Sequence, residues 1–179
     1  LTATASQIQA LLDQGAIRKL DWLEIKNSPY LVNGFILIKP DKLRLCINLK
    51  KLNKHLEVKK TKFEHVRGLM NFAPILNAYM AKIDLKDAYH ALRYHPDFRK
   101  FLRFIAQSGS QGEFELFEPI SMSFGDSLAP YRFTKMMRIL VKKWREMGIS
   151  LRIILDDIFI FAQGAETTSR HVAIILADL

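Results

Sequence analysis

Two adjacent aspartates stand between two apolar runs late in the sequence. The stretch RIILDDIFIF, residues 152–161, places Asp156 and Asp157 among branched and aromatic residues that favour β-strands. The pattern predicts a hairpin with these two aspartates as its turn residues. Two-residue hairpin turns usually contain glycine or asparagine, and adjacent like charges repel, so turn geometry alone does not explain the pair. A hard cation such as Mg²⁺ prefers carboxylate oxygens and would neutralise the repulsion.

A third carboxylate for such a cation is predicted to be Asp84. It ends the apolar stretch AYMAKIDL, residues 78–85, which reads as a strand. Taken alone, each feature has an ordinary explanation, because aspartates commonly form turns or lie in solvent. An antiparallel sheet can nevertheless place Asp84 beside Asp156 and Asp157, and the combination predicts a metal site.

The charge balance favours a polyanionic partner. Lys and Arg number 27 against 18 Asp and Glu, which gives a net charge of +9. Nucleic acid is favoured over a membrane surface, and the alternative is a basic surface that only aids solubility. The single cysteine, Cys46, excludes an internal disulfide and indicates an intracellular protein of the cytoplasm or nucleus. No apolar run reaches the roughly 20 residues of a membrane helix.

Hydrophobic periodicity predicts an α+β fold with an antiparallel sheet backed by helices. A long helix is expected over 127–147, and Gly148 should terminate it. The other expected elements are a helix within 5–17, a hairpin over 34–49 with a basic tip, a connection over 62–73, a helical turn at 95–100, a strand pair at 101–106 and 112–120, and a final helix from Glu166.

Four ordered stretches resemble the motifs of reverse transcriptases. KIDLKDAYHALRYHPDFRKFLRF, SFGDSLAPYRFTKMM and ILDDIFIFA are similar to the three palm motifs, and LRLCINLKKLNKH is similar to the fingers strand that ends in a leucine-asparagine pair. The resemblance extends from about Gln9 to the last residue and is closest to polymerases of DIRS-type and gypsy-type long-terminal-repeat retrotransposons.

The resemblance implies a right-hand polymerase. Residues 1–78 would form the fingers and 79–179 the palm, with part of 90–120 returning to the fingers. The thumb and the ribonuclease H module are not expected within this chain. Both ends read as cuts through a longer polypeptide, so we expect those parts in the remainder of a retroelement polyprotein.

The resemblance also implies the metal and triphosphate ligands. Asp84 and Asp156 would hold two Mg²⁺ ions, with Mn²⁺ as an alternative, and Asp157 would support them. Arg44 and Lys39 on the basic hairpin match the family's triphosphate contacts. An ordinary solvated hairpin face is the alternative for these two cations.

Further nucleotide-binding residues are implied around the first palm motif and the Phe-Gly turn. The backbone N–H groups of Asp87 and Ala88 would face the triphosphate, and Tyr89 would exclude a ribose 2′-hydroxyl. Phe124 and Gly125 would pack against the template base or the incoming nucleotide. A simple core position is the alternative for Tyr89.

The function expected from this resemblance is DNA synthesis from dNTPs on an RNA or DNA template, extending a DNA primer. Several positions depart from the family pattern, namely Asn48, Ser123, Asp126, Ile154 and Leu155. They keep a second hypothesis open, a non-catalytic nucleic-acid-binding descendant of a reverse transcriptase. A third is a structural α+β domain in which the motif order is accidental.

Overall fold

The computed structural model describes residues 3–39, 42–57, 60, 63–64, 78–108 and 112–179. The chain divides into two compact units, the first formed by Leu1–Val58 and Tyr89–Ala129, the second by Lys59–Ala88 and Pro130–Leu179. Helices of the described residues are α1 Ala3–Asp13, α2 Lys50–Asn53, α3 Pro96–Arg99, α4 Ala129–Glu146 and α5 Ala165–Asp178, with 3₁₀ helices at Trp22–Asn27 and Ala88–Ala91. Strands are β1 Ile17–Leu20, β2 Val32–Lys39, β3 Lys42–Ile47, β4 Ala78–Asp84, β5 Phe104–Gln107, β6 Phe114–Pro119, β7 Ser150–Ile154 and β8 Asp157–Gln163.

The first unit contains a sheet of strand order β1-β6-β5-β2-β3. The predicted hairpins β2-β3 and β5-β6 are confirmed as antiparallel pairs. Two features were not predicted: β1 adds to β6, and β2 pairs with β5 in parallel through Val32 and Asn33. The predicted connection over 62–73 lies outside the described residues apart from 63–64, as do Pro40 and Asp41 at the hairpin tip.

Apolar side chains from this sheet and from α1 form the core of the first unit. Phe104 and Phe117 stack with ring centroids 5.5 Å apart, and both are fully buried. The remaining buried members of the cluster are Ile8, Ile17, Val32, Leu45, Ile47, Leu49, Tyr94, Leu102, Ala106, Met122 and Ala129. Burial of this size is the main favourable contribution to folding, so the unit has its own core.

A charged network lies among these apolar residues. Arg103 and Glu118 are 6% and 4% exposed, and Arg103 Nε donates to Glu118 Oε2 over 2.8 Å. Arg18 Nη2 lies 2.8 Å from the other carboxylate oxygen of Glu118. Arg103 Nη1 also donates to the Glu24 carbonyl and to Ser28 Oγ, both at 2.9 Å. Both buried charges are therefore paired and hydrogen-bonded, as burial requires.

The second unit contains an antiparallel sheet of order β4-β8-β7. Ile158 and Ile160 of the central strand are fully buried, and α5 contacts β8 and β4. Buried residues of α4 recur at helical spacing, namely Phe133, Met137, Val141 and Trp144. The antiparallel sheet with helices confirms the predicted α+β class, and α4 ends within two residues of the predicted Gly148 stop.

Candidate active site

Three aspartates meet at one end of the β4-β8-β7 sheet. Asp84 is the last residue of β4 and lies directly opposite Asp157, the first residue of β8. Opposite residues of an antiparallel pair share a face of the sheet, with Cβ atoms roughly 4.5–5.5 Å apart. The N–H of Leu85 donates to the Asp156 carbonyl over 2.9 Å, which fixes the end of β4 beside the hairpin turn. Residues that are far apart in sequence are thus neighbours here.

The hairpin turn differs from the prediction by one residue. Ile154 pairs with Asp157, so the two turn residues are Leu155 and Asp156, and the prediction of an Asp156-Asp157 turn is wrong. Leu155 has a φ of 56°, a left-handed conformation that leucine rarely adopts. Because the turn consists of Leu155 and Asp156, Asp157 belongs to β8 and has the fixed direction of a strand residue, whereas Asp156 lies on the exposed turn.

Lys82 lies beside the aspartates and was not predicted. Its ammonium Nζ is 2.9 Å from Asp157 Oδ1. The pKa of Lys82 is raised, chiefly by its hydrogen bond to Asp157; desolvation opposes this, and the negative charges of Asp157, Asp84 and Asp156 add to the increase. All three carboxylates therefore act on one ammonium group.

These residues fit a divalent metal in type and in backbone position. The Lys82 ammonium places one positive charge beside these carboxylates, at Asp157. In the arrangement seen, however, no group of three or more His, Cys, Asp or Glu side chains among the described residues is set to hold a metal ion. Mg²⁺ is commonly bound by only one or two carboxylates together with substrate phosphates and water, so a complete set of protein ligands is not required.

An ion pair supports the edge strand that leads into the turn. Glu64 accepts a hydrogen bond from the Ile153 N–H at 3.1 Å and one from Arg145 Nη2 at 2.6 Å. Arg145 Nη2 also donates to the Leu151 carbonyl over 3.1 Å. Because β7 is an edge strand, its outward backbone groups need such partners. The contacts fix β7 just before Leu155.

The turn that follows Asp84 contains one residue in the left-handed conformation. Asp87 has a φ of 50°, and Ala88 begins the next 3₁₀ helix. A left-handed residue after a turn aims successive N–H groups towards one point, and such concave groups attract phosphates. The contact of Asp87 and Ala88 with a triphosphate stays a prediction.

Tyr89 and Phe124 are in contact within the first unit. Their ring centroids lie 5.3 Å apart at an interplanar angle of 60°. Tyr89 is partly buried and packs against the core cluster of this unit. Tyr89 therefore packs against the core, as its alternative explanation predicted. Its role in excluding a ribose 2′-hydroxyl stays a prediction.

The Phe124-Gly125 turn is held in place by Asn53. Asn53 Nδ2 donates to the Gly125 carbonyl over 2.7 Å, and Asn53 Oδ1 accepts from the Ser127 N–H at 3.1 Å. Asn53 belongs to the leucine-asparagine pair of the fingers motif, for which no role was predicted. A cavity of about 480 Å³ borders this turn, and Ile47, Asn48 and Gly125 are among the residues that line it.

Gly125 cannot be replaced without strain. Its φ is 110°, and an added Cβ would lie 2.6 Å from the Ile47 carbonyl oxygen. We predict that Gly125→Ala destabilises the first unit by about 1–3 kcal/mol. Gly15→Ala is the matched control, because Gly15 also has a positive φ but open space around its Cβ. Thermal unfolding of both variants tests this: equal losses would contradict the steric explanation.

Asp126 turns away from solvent. It is 5% exposed; Tyr94 Oη donates to its Oδ2 over 2.9 Å, and the Leu128 N–H donates to its Oδ1 over 2.8 Å. Burial and the charge of Asp126 raise the pKa of Tyr94. The departure from the family pattern at Asp126 is therefore a hydrogen-bonded buried group that stabilises this turn.

For the two basic residues predicted to contact a triphosphate, the structure describes only the backbone. Lys39 is the last residue of β2 and pairs with Lys42, and Arg44 of β3 pairs with Leu37. Their side chains lie outside the described part of the chain, so their contacts with a triphosphate stay a prediction.

Similarity to known proteins identifies the family of the chain. Residues 25–179 match the family described as reverse transcriptase (RNA-dependent DNA polymerase). The chain belongs to the reverse transcriptase family. The predicted resemblance is thereby confirmed at the level of the family, whereas the DIRS-type or gypsy-type retrotransposon origin stays a prediction.

Curated relatives of this reverse transcriptase domain are viral polyproteins. The chain is 26% identical over 179 residues to the Pol polyprotein of equine infectious anemia virus strain Wyoming, covering 97% of this chain and 15% of that protein. For the Pol polyprotein of isolate 1369 the identity is 27% over 172 residues, with 93% and 14% covered. The chain thus spans about one seventh of these relatives' length.

Among the described residues, none of the helices has the length and apolar composition of a transmembrane segment.

Proposed function

We propose that this chain is the fingers and palm part of an RNA-directed DNA polymerase within a larger polyprotein. The first unit would belong chiefly to the fingers and the second to the palm. The observation that carries the proposal is the pairing of Asp84 with Asp157 beside the turn that bears Asp156. Membership of the reverse transcriptase family supports the same activity. A thumb, a ribonuclease H module and an intracellular location in the cytoplasm or nucleus are parts of this proposal.

The aspartates would hold the metal ions of nucleotidyl transfer. Asp84 and Asp156 are the proposed ligands of two Mg²⁺ ions, or of Mn²⁺, and Asp157 the supporting carboxylate. When bound, such ions activate a primer 3′-hydroxyl and neutralise charge on a triphosphate. The protein's own contribution is to position these groups, which phosphoryl transfer requires more than covalent catalysis.

Other residues would position the nucleotide and the template. The N–H groups of Asp87 and Ala88 would bind triphosphate oxygens, and Lys39 and Arg44 would add positive charge. The cavity beside Gly125 would accept the template base or the incoming nucleotide.

Primer extension on an RNA template by the full-length protein tests the proposal. We expect dNTP incorporation that requires Mg²⁺ and stops when EDTA is added, and no incorporation would count against it.

Tyr89 is proposed to select deoxynucleotides. A ring at this position would leave no room for a ribose 2′-hydroxyl, and Phe124 holds the ring on one side. We predict that Tyr89→Ala raises the kcat/KM for ribonucleotides relative to deoxynucleotides by about 10- to 100-fold, the range expected for one steric contact. Single-nucleotide incorporation assays measure the ratio. Tyr79→Ala is the control, because Tyr79 is 52% exposed on β4. An unchanged ratio in Tyr89→Ala would remove the selection role.

A non-catalytic nucleic-acid-binding descendant is the second candidate function. The observations that favour it are the lysine on Asp157 and the lack of a ready metal-holding group among the described residues. The net charge of +9 would support nucleic-acid binding in either case. Salt-sensitive binding of a primer–template without any Mg²⁺-dependent extension would select this candidate over the polymerase.

A further inference from the structure

Lys82 shares a face of the second unit's sheet with the aspartates. It stands two residues before Asp84 on β4, and alternate residues of a strand point to the same side. Asp84 lies opposite Asp157, and Lys82 lies opposite Phe159. Lys82 and Asp157 are therefore diagonal neighbours on the adjacent strands β4 and β8. The Lys82 Nζ lies 2.9 Å from Asp157 Oδ1.

The ring of Phe159 gives the same ammonium a second contact. Lys82 Nζ lies 5.8 Å from the centroid of this ring, within the range of a cation–π interaction. The ammonium can therefore leave Asp157 without losing every favourable neighbour. The side chain of Lys82 is half exposed, so it has room to move.

We propose that Lys82 competes with divalent cations for Asp157 and thereby sets the metal affinity of the site. This inference rests on the proposed function, because it takes the three aspartates as the metal site. The oxygen bound to the ammonium is one that a metal ion or its water shell would use. Positive charges also repel, so an ammonium retained at the cluster weakens the binding of a second cation.

In the absence of a metal ion, the same lysine would stabilise the aspartate cluster. Asp84, Asp156 and Asp157 would repel one another at close range, and Lys82 offsets part of that repulsion. A metal ion would replace this neutralising contact. The lysine therefore lowers the metal affinity and stabilises the metal-free aspartate cluster. Removing its charge should raise the metal affinity and lower the stability of the metal-free protein.

Mn²⁺ binding to the full-length protein tests the proposal, with the free ion measured by electron paramagnetic resonance. We expect Lys82→Met to bind Mn²⁺ at the aspartate site with a Kd about 3- to 10-fold lower than that of the unmodified protein, the effect of one partly screened charge. In EDTA the same variant should have a lower Tm, and Mn²⁺ should raise that Tm by more than it does in the unmodified protein.

Three further variants make the result specific. Lys82→Arg keeps the charge and should leave the Kd within about twofold of the original. Lys142→Met removes the same charge from an exposed pair with Glu146 at 3.7 Å and should change nothing. Asp84→Asn identifies the site, because the binding assigned to it should be lost.

The outcomes separate the two levels of the proposal. If Lys82→Met binds Mn²⁺ with an unchanged or weaker affinity while Asp84→Asn loses the site, competition by Lys82 is overturned and the proposed metal site stands. If Asp84→Asn binds as the unmodified protein does, the metal site itself is refuted, and the inference about Lys82 falls with it.

Discussion

Asp156→Asn should reduce Mg²⁺-dependent primer extension on an RNA template by at least about 10³-fold in the full-length protein. The substitution keeps the size of the side chain and removes its negative charge, on which metal binding depends. The turn should persist, because its bond to β4 uses the backbone carbonyl of Asp156 and not its side chain. The rate of single-nucleotide incorporation under saturating dNTP measures the effect.

Asp97→Asn is the matched control for this loss. Asp97 has an 89% exposed side chain beside His95 and takes no part in the aspartate cluster. Its substitution should leave extension within about twofold, as expected for a surface charge. Primer extension that survives in Asp156→Asn would show that the assigned site does not carry the reaction.

Glu118→Ala should cause the largest loss of stability in the first unit. Arg103 is 6% exposed, and removing Glu118 takes away its close carboxylate partner, leaving two neutral acceptors and the Glu24 carboxylate at 3.8 Å. Breaking a buried pair in this way costs about 3–5 kcal/mol. Hydrogen exchange of the β5 and β6 amides in the full-length protein measures the local free energy of unfolding.

Two comparisons test the cause of that loss. Glu146→Ala removes an exposed partner of Lys142 at 3.7 Å and should cost about 0.3–0.5 kcal/mol. The double substitution Arg103→Met with Glu118→Leu should recover much of the stability, because no unpaired buried charge remains and Arg18 is 46% exposed. Similar losses for Glu118→Ala and Glu146→Ala would contradict the importance of burial.

Local patterns predicted the elements of the fold better than their pairing. The spacing of Phe133, Met137, Val141 and Trp144 identifies the buried face of α4, because helical periodicity is written into neighbouring residues. The strand β1, with the sequence IRKL, has no such signal: its two central residues are exposed, and its partner β6 is distant in the chain. The parallel contact of β2 with β5 depends likewise on tertiary packing that no local pattern contains.

The candidate site was predictable in its carboxylates and less so in its supporting residues. The proximity of Asp84 to the Asp156-Asp157 pair could be predicted because all three aspartates border apolar strands, whereas the direct pairing of Asp84 with Asp157 was not predicted. The turn was placed one residue late, since its positive φ falls on Leu155, a residue that rarely adopts it. Lys82 carried a usable signal, because a residue two positions before Asp84 must share its face of the strand. Asn53 gave no such signal, as its partners Gly125 and Ser127 are far along the chain.

Anomalous scattering at the manganese absorption edge, measured on crystals of the full-length protein soaked in Mn²⁺, would locate the metal ions. The central claim is that three aspartates from two distant stretches of sequence form one metal site at the end of the β4-β8-β7 sheet. It predicts anomalous peaks within coordination distance of the Asp84 and Asp156 carboxylates. Peaks only elsewhere, or none at saturating Mn²⁺, would contradict it.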